Sequence, residues 1–288
     1  MRILVTGSTG MLGREVVEHA SRGGHDVVGT SRSGEVPADI TDRDQVERAV
    51  ERVHPELIIH TAAWTAVDDC EGDPERATAV NAAGTEHVGR AADRIGARVL
   101  YVSTDHVFDG TKASPYVEDD RPNPQSVYGT SKLAGERALG PHHTIARTSW
   151  LAGLHGSSTV RTVLDLARRQ DTLTFVDDQI GNPTFVADLA PALLELGVAG
   201  HPGTFHLTNV GTVSWFELAR EVLAAAGLDP ERVRPIATSG LEPPRAARRP
   251  ANAALATTAS SHLGLPVLPP YRRALEELVA QLQARGVG

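Results

Sequence analysis

Tyr128 and Lys132 are the residues whose types and spacing most directly offer chemistry. They stand four apart in Ser126-Val127-Tyr128-Gly129-Thr130-Ser131-Lys132, and the Leu133-Ala134-Gly135-Glu136-Arg137 that follows reads as helix. Residues i and i+4 share a helix face, so phenol and ammonium would point the same way. A tyrosine titrates near pH ~10, and a neighbouring cation favours the phenolate and lowers that value. The pair is then a tunable proton donor and acceptor. The same spacing also occurs on solvated amphipathic helices, so its meaning rests on what the remaining chain brings to it.

The N-terminus brings a ligand cradle. Arg2-Ile3-Leu4-Val5-Thr6 has the apolar run of a buried parallel strand. It meets Gly7-Ser8-Thr9-Gly10-Met11-Leu12-Gly13 and then a helical pattern with Leu12, Val16, Val17 and Ala20 on one side. Gly7 suits the tight turn, Gly10 leaves room for a diphosphate, and Gly13 lets helix and strand lie close. The free N–H groups of the helix start favour an anion. A plain strand-to-helix turn needs one glycine, not three, so Gly-x-x-Gly-x-x-Gly in this place predicts a dinucleotide site.

The next segments set which dinucleotide. The strand His25 to Thr30 ends in Ser31-Arg32, with no acid to hold a ribose 2′-hydroxyl. Arg32 could meet a 2′-phosphate, which favours NADPH with NADH as the alternative; it could equally be a solvated loop cation. Asp39 could accept from an adenine amino group while Ile40 packs on the ring. A helix is expected from Thr41-Asp42 to about Val53, with an oxygen-bearing cap and acids in its first turn. Leu57-Ile58-Ile59-His60-Thr61 is a further buried strand; His60 reads as core, and Ala62-Ala63 would let a cofactor lie against the backbone. Asp69, Glu71 and Asp73 read as solvated. Pro74 to about Ile95 is helical, with Asn81 bonded to a loop or exposed.

Arg98 to Ser103 is a strand that delivers Thr104 to its carboxyl end, where open parallel sheets bind ligands. The proline-rich stretch Pro115 to Pro124 then returns the chain to Tyr128. Hydroxyl, phenol and ammonium would converge beside a nicotinamide, the arrangement a carbonyl reduction needs.

These features resemble the extended short-chain dehydrogenase/reductases. Ala62-Ala63-Trp64-Thr65-Ala66-Val67-Asp68, Ser103 to Gly110, Arg147 to Trp150, Asp178 to Thr184 and Ala247 to Asn252 narrow the resemblance to the dTDP-4-dehydrorhamnose reductases. That resemblance implies reduction of a dTDP-linked 4-keto-6-deoxysugar. It assigns catalysis to Thr104, Tyr128 and Lys132. It places Gly7, Gly10, Met11, Leu12, Asp39, Ile40, Ala62, Ala63 and Thr65 along the cofactor, and Trp150 near the sugar with Thr104, His106 and Tyr128. The chain departs from the family at His106 and Trp64, where tyrosine is usual, and at Ser158-Thr159, where Asn-Phe is common. Some relatives bind magnesium through an acid of the first helix; Glu15 matches, but reads better as a solvated acid, and no metal is expected.

The second half gives fewer signals. His143 to Arg147 and Leu173 to Val176 read as strands, Val160 to Arg168 and Val186 to Leu196 as helices, and Trp150 as core or sugar contact. Ser214-Trp215-Phe216-Glu217 has the form of a capping box. Arg245, Arg248 and Arg249 could meet a diphosphate or line a solvated loop. The expected fold class is α/β: a Rossmann-type doubly wound parallel sheet over residues 1–150, completed by part of 171–196, with a smaller C-terminal α/β substrate domain over 151–288.

Composition sets the outer bounds. The 288 residues, 41% of them hydrophobic, allow one large α/β domain and a smaller partner. A net charge of −8 argues against nucleic acid or an anionic membrane as partner. Cys70 is the single cysteine, so no internal disulfide forms. No apolar run approaches the ~20 residues of a membrane span, and the run at Met1 to Gly7 is too short for a signal peptide. The protein reads as soluble and cytoplasmic, and a homodimer is one assembly open to it. An epimerase or dehydratase of the same superfamily, a reductase of another deoxysugar, and a cofactor-bound regulatory subunit remain alternatives.

Overall fold

The computed structural model describes residues 1–33, 36–258, 263–264 and 267–287. Seven parallel strands form the main sheet: β1 (Arg2–Thr6), β2 (Asp26–Ser31), β3 (Val36–Pro37), β4 (Leu57–His60), β5 (Arg98–Thr104), β6 (Thr144–Thr148) and an edge strand Gly203–His206. Their order is β3-β2-β1-β4-β5-β6 and then that edge strand. The order reverses at β1, so the carboxyl ends of β1 and β4 frame the crevice in which such sheets bind ligands.

Strand periodicity explains the two covered faces. Ile3, Val5, Leu57 and Ile59 point to one side, where helix α1 (Met11–Arg22) and a later helix, Val186–Ala199, cover them. Leu4, Ile58 and Val99 point to the other, under α2 (Arg43–Val53) and a helix spanning Gly84–Ile95. Alternate residues of a strand face opposite ways, so near-continuous apolar strands require cover on both sides. Helix α2 starts on Asp42, whose side chain accepts from Gln45 N. The predicted helix from Pro74 to Ile95 is interrupted: Ala79–Ala83 forms a wider π-type turn that carries Asn81.

The sheet is not completed by a strand from 171–196. Leu173–Val176 pairs in parallel with Val233–Ile236 in a separate two-stranded unit. Its Thr174 is exposed and its Phe175 half-buried, a poor match to strands covered on both faces. The helix Val186–Ala199 is apolar on nearly every side, and it is this element that returns to the main sheet and packs on α1. It delivers the chain to the β6 edge, where Gly203–His206 closes the sheet. A second core, built from Ala152 onward, gathers Val163, Leu164, Leu218, Val222, Leu275 and Val279 from three helices. The helix Trp215–Ala225 opens with the capping box of Ser214 and Glu217.

His60 is buried in the first core's polar seam. The Thr85 hydroxyl donates to Asn81 O at 2.8 Å, so His60 Nε2–H must donate to Thr85 Oγ1 (3.1 Å) and Nδ1 must accept from Thr6 Oγ1 (2.6 Å). A neutral ring satisfies both contacts. Burial pushes the pKa of His60 down to about 3, and those of His106 and His206 to about 4. A depressed histidine adds stability above its unfolded value of about 6.5, and that stability is lost as pH falls toward the folded value. The urea midpoint, followed by tryptophan fluorescence, should therefore drop between pH 7.5 and pH 5, each ring costing up to about 2 kcal/mol. A midpoint unchanged over that interval would show that the rings take up protons as readily in the folded protein as in the unfolded chain.

Candidate active site

The glycine turn follows β1 as its spacing requires. Gly7 has φ +68°, and a Cβ there would lie 2.8 Å from the Cα of Ala62. A Cβ on Gly13 would lie 2.3 Å from Gly7 O, so only glycine lets α1 begin this close to the turn. Helix α1 starts on Gly10 without a side-chain cap, which leaves its first N–H groups free to meet an anion. The turn opens into a cavity of about 520 Å³ that also reaches Thr104, Tyr128, Lys132, Trp150 and Arg249. The glycine cradle and uncapped helix start fit the diphosphate of a dinucleotide.

The helix Val127–Ala138 carries Tyr128, Lys132 and Glu136 at successive four-residue steps. Ser126 caps it, accepting from Gly129 N at 3.1 Å. Gly129 lies so near the turn Asp105–Val107 that a Cβ would come within 2.2 Å of His106 O. Glu136 fixes the helix to the sheet. It accepts two bonds from Arg147 of β6, at 2.9 and 2.7 Å, and one from Ser103 of β5 at 2.5 Å. All three residues are buried. Asn81 fastens the first turn from the other side: its Nδ2 donates to Ser131 Oγ at 3.0 Å, and Ser131 Oγ donates to Tyr128 O at 2.8 Å.

The expected lowering of the Tyr128 pKa by Lys132 does not appear. Burial pushes the phenol above its ordinary range, opposed by the Thr104 hydroxyl. Lys132 is turned to the sheet: its Nζ donates to Val102 O at 2.7 Å and stands 4.0 Å from the centre of the Tyr101 ring. Burial pushes Lys132 down to about 7, with the Glu136 carboxylate working against that. Desolvation disfavours whichever form is charged, so phenol and ammonium are driven toward neutrality together.

Thr104, at the end of β5, accepts from His106 N at 3.2 Å and donates to Asp105 Oδ1 at 2.8 Å. Thr148 is its register partner on β6. The His106 ring meets the Tyr128 ring edge-on, with centroids 5.4 Å apart. Asp105 Oδ2, His106 Nδ1 and Thr148 Oγ1 are buried without a hydrogen-bond partner among the described residues, and all three side chains line the cavity. Trp150 has the left-handed φ of +43° and stacks on Trp215 at 3.5 Å. It is therefore both packed and exposed to the cavity.

Of the sequence-predicted residues, Gly7, Gly10, Met11, Leu12, Ala63, Thr65, Thr104, His106, Tyr128, Lys132 and Trp150 line one cavity. Four lie outside its lining. Arg32 is exposed beyond β2. Asp39 accepts from Thr41 N and Oγ1, Ile40 is buried in the core, and Ala62 packs beside Gly7. Trp64 is held by Asn81 and covered by the Arg76 guanidinium, while its neighbours Ala63 and Thr65 face the cavity. Arg249 is tied to Asp68 at 2.7 Å, and Arg245 stands beside them on the cavity wall. Thr148, within the Arg147 to Trp150 motif that the sequence sets beside the pocket, lines the cavity; the sequence gives no site role to Trp215 or to the anchoring Glu136. Only Glu136 had a signal, four residues beyond Lys132.

Residues 1–284 match the RmlD substrate binding domain. The chain belongs to this family. A dTDP-4-dehydrorhamnose reductase of Streptomyces griseus is 42% identical, over 99% of this chain and 95% of its own length. A dTDP-4-keto-6-deoxy-D-glucose reductase of Streptomyces niveus is 39% identical, over 82% of each. Among solved structures, the dTDP-4-dehydrorhamnose reductase of Bacillus anthracis in complex with NADP superposes with a TM-score of 0.91 at 34% identity, covering 97% of this chain and 99% of the other. The RmlD-type fold and the extended dehydrogenase/reductase sheet are thus shared along the whole chain. Among the described residues no helix is long and apolar enough to cross a membrane.

In this RmlD-family chain the Glu136–Arg147 pair should be costly to break and cheaper to replace. Glu136→Ala leaves a buried guanidinium uncompensated and should cost about 3–5 kcal/mol in urea unfolding. The double variant Glu136→Leu/Arg147→Met should recover most of that loss. Equal losses in the single and double variants would show that packing, not charge, is at stake.

Proposed function

We propose that this protein reduces the C4 keto group of a dTDP-linked 4-keto-6-deoxysugar, dTDP-4-dehydrorhamnose first among them, with NADPH as the reductant and NADH as the weaker alternative. The observation that carries this reading is the meeting of Thr104, Tyr128 and Lys132 with the Gly7–Gly13 turn in one cavity. A bound NADPH supplies the hydride. Tyr128 Oη gives its proton to the carbonyl oxygen as negative charge develops there, and its burial keeps that proton in place near neutral pH. Thr104 Oγ1 orients the same oxygen. Lys132 Nζ, set on the sheet by Val102 O, lends positive charge to the phenol as it loses its proton.

The end of β2 supports the choice of cofactor. Ser31-Arg32 offers no carboxylate for a ribose 2′-hydroxyl, and Arg32 is exposed and available to a 2′-phosphate. On the sugar side, Trp150, at positive φ and stacked on Trp215, offers an apolar wall, and His106 lines the same cavity as the second group to meet the sugar ring. Arg245 and Arg249 are the cations placed to meet the nucleotide diphosphate. The likeness to the S. niveus reductase favours a second reading, in which the substrate is another dTDP-4-keto-6-deoxysugar.

Three measurements test the proposal. Loss of nicotinamide absorbance should follow mixing with NADPH and dTDP-4-keto-6-deoxyglucose, and should require a 3,5-epimerase if the rhamnose precursor is the substrate. Turnover without the epimerase selects the second reading. NADPH binding without oxidation of either sugar points to a regulatory subunit. Tyr128→Phe should lower kcat by a factor of ~10² or more while leaving NADPH affinity near wild type. Gly13→Ala should instead weaken NADPH binding at least about tenfold, because the turn and α1 can no longer close on each other.

A further inference from the structure

The hydroxyl of Thr104 has one hydrogen, and in this structure it is spent. Thr104 Oγ1 donates to Asp105 Oδ1 at 2.8 Å and accepts from His106 N at 3.2 Å. A hydroxyl so placed can accept a further bond, yet it has no hydrogen left for a carbonyl oxygen. The carboxyl group that holds the hydrogen is 2% exposed, and its second oxygen has no partner among the described residues. An ionised carboxylate in such a place leaves that second oxygen buried and unsatisfied. The neutral acid reverses the bond: its own O–H donates to Thr104 Oγ1, and the threonine hydrogen is released into the cavity.

We infer that Asp105 is a positioning residue that sets the direction of the Thr104 hydrogen bond. As a carboxylate it keeps the threonine as an acceptor; as the neutral acid it turns the threonine into a donor toward a substrate carbonyl. This inference rests on the carbonyl reduction proposed above. The change moves one proton onto a carboxyl oxygen and rotates one hydroxyl, with no covalent chemistry and no further reactant. Burial supports it, pushing the Asp105 carboxyl up to about 7 against the hydrogen bonds from Thr104 and from the backbone of Asp105 and His106. Both states are then populated near neutral pH.

The other titratable and charged groups around the cavity are Tyr128 and Lys132 on the helix packed against the turn, His106 on the turn itself, Cys70 beside Tyr128, and Arg245 and Arg249 with Asp68, whose charges reach His106. His106 is held neutral by burial, its value near 4. Arg249 is paired with Asp68. Lys132 faces Val102 O and the Tyr101 ring. The sign follows from the bond direction. Reduction is supported below the Asp105 midpoint and declines as pH rises through it.

The test is the profile of kcat for NADPH oxidation between pH 5.5 and 9, in wild type and in D105N. The wild-type rate should fall about tenfold per pH unit above a midpoint near neutrality. D105N does not titrate and should lose that limb. A limb due to Lys132 survives the substitution, so an unchanged profile in D105N overturns the inference. A second measurement needs neither sugar nor turnover. Infrared difference spectra of the protein alone should show a protonated carboxyl band that vanishes toward pH 9. The band should be absent in D105N and should persist to higher pH in T104V, which lacks the hydroxyl that favours the carboxylate. Absence of the band in wild type, or an unmoved midpoint in T104V, overturns the inference. A wild-type enzyme that oxidises NADPH with no keto sugar removes the reductase reading alone, and the infrared result then decides the Asp105–Thr104 coupling by itself.

Discussion

The buried pair between Glu136 and Arg147 is the contact on which the arrangement of the proposed site depends. It joins the helix bearing Tyr128 and Lys132 to β6, and through Ser103 to β5, whose last residue is Thr104. Because Glu136 lies on the same helix face as Tyr128 and Lys132, clamping it fixes the rotation of the helix as well as its height. The pair is bidentate, and the guanidinium also faces the Phe108 ring at 5.2 Å. Such a pair contributes little net stability over an apolar substitute, but leaving one member alone is costly. Its effect is geometric: one helix register over the sheet satisfies both charges.

A polar seam performs the same task from the N-terminal side. Thr6, His60, Thr85, Asn81 and Ser131 pass hydrogen bonds from β1 to the first turn of the helix bearing Tyr128. The glycine turn and Tyr128 are thus referenced to each other through a chain of satisfied donors and acceptors. The π-type turn at Ala79–Ala83 is what brings Asn81 to both Trp64 and Ser131. Desolvation then governs the site's electrostatics. It pushes Tyr128 and Asp105 up and Lys132 and His106 down, so Tyr128 and His106 are held neutral while Asp105 and Lys132 are brought to the edge of changing charge near neutral pH.

Much of this was legible in the chain. Short-range patterns sufficed where one residue type does one physical task. Three glycines after a strand predict the turn, and in the structure Gly7 and Gly13 admit no Cβ. Tyr128-x-x-x-Lys132 predicted a shared helix face, Ser214 and Glu217 a capping box, and His60 a core position. The reading failed where two segments far apart had to choose partners. Leu173–Val176 has strand character but no signal of its neighbour: of the 171–196 stretch expected to complete the sheet, this strand pairs with Val233–Ile236 and only the helix from Val186 reaches the main sheet. For Asp39 and Ile40, set at the adenine from the sequence, the fold adds a loop bond to Thr41 and a place at the edge of the core. The electrostatic expectation for Tyr128 failed for a related reason: spacing reports which charges are near, and burial is invisible to it.

By itself, then, the sequence determined local geometry and residue chemistry: the glycine turn, the strand ends, the helix face that pairs a phenol with an ammonium, and the resemblance they carry along the chain. The tertiary structure alone decided three things. It decided that Gly203–His206 closes the sheet, because the apolar helix Val186–Ala199 packs on the sheet's face and on α1 and so delivers the chain to the β6 edge. It decided that Trp215 backs Trp150 and that Glu136 reaches Arg147, contacts 65 and 11 residues apart along the chain. And it decided the protonation balance of Tyr128, Lys132 and Asp105, because desolvation depends on how much of the surrounding volume other segments fill. The Tyr128–Lys132 pair is readable as a proton-handling motif from its spacing; only the packed cavity shows that burial holds the phenol protonated and brings the ammonium close to losing its charge.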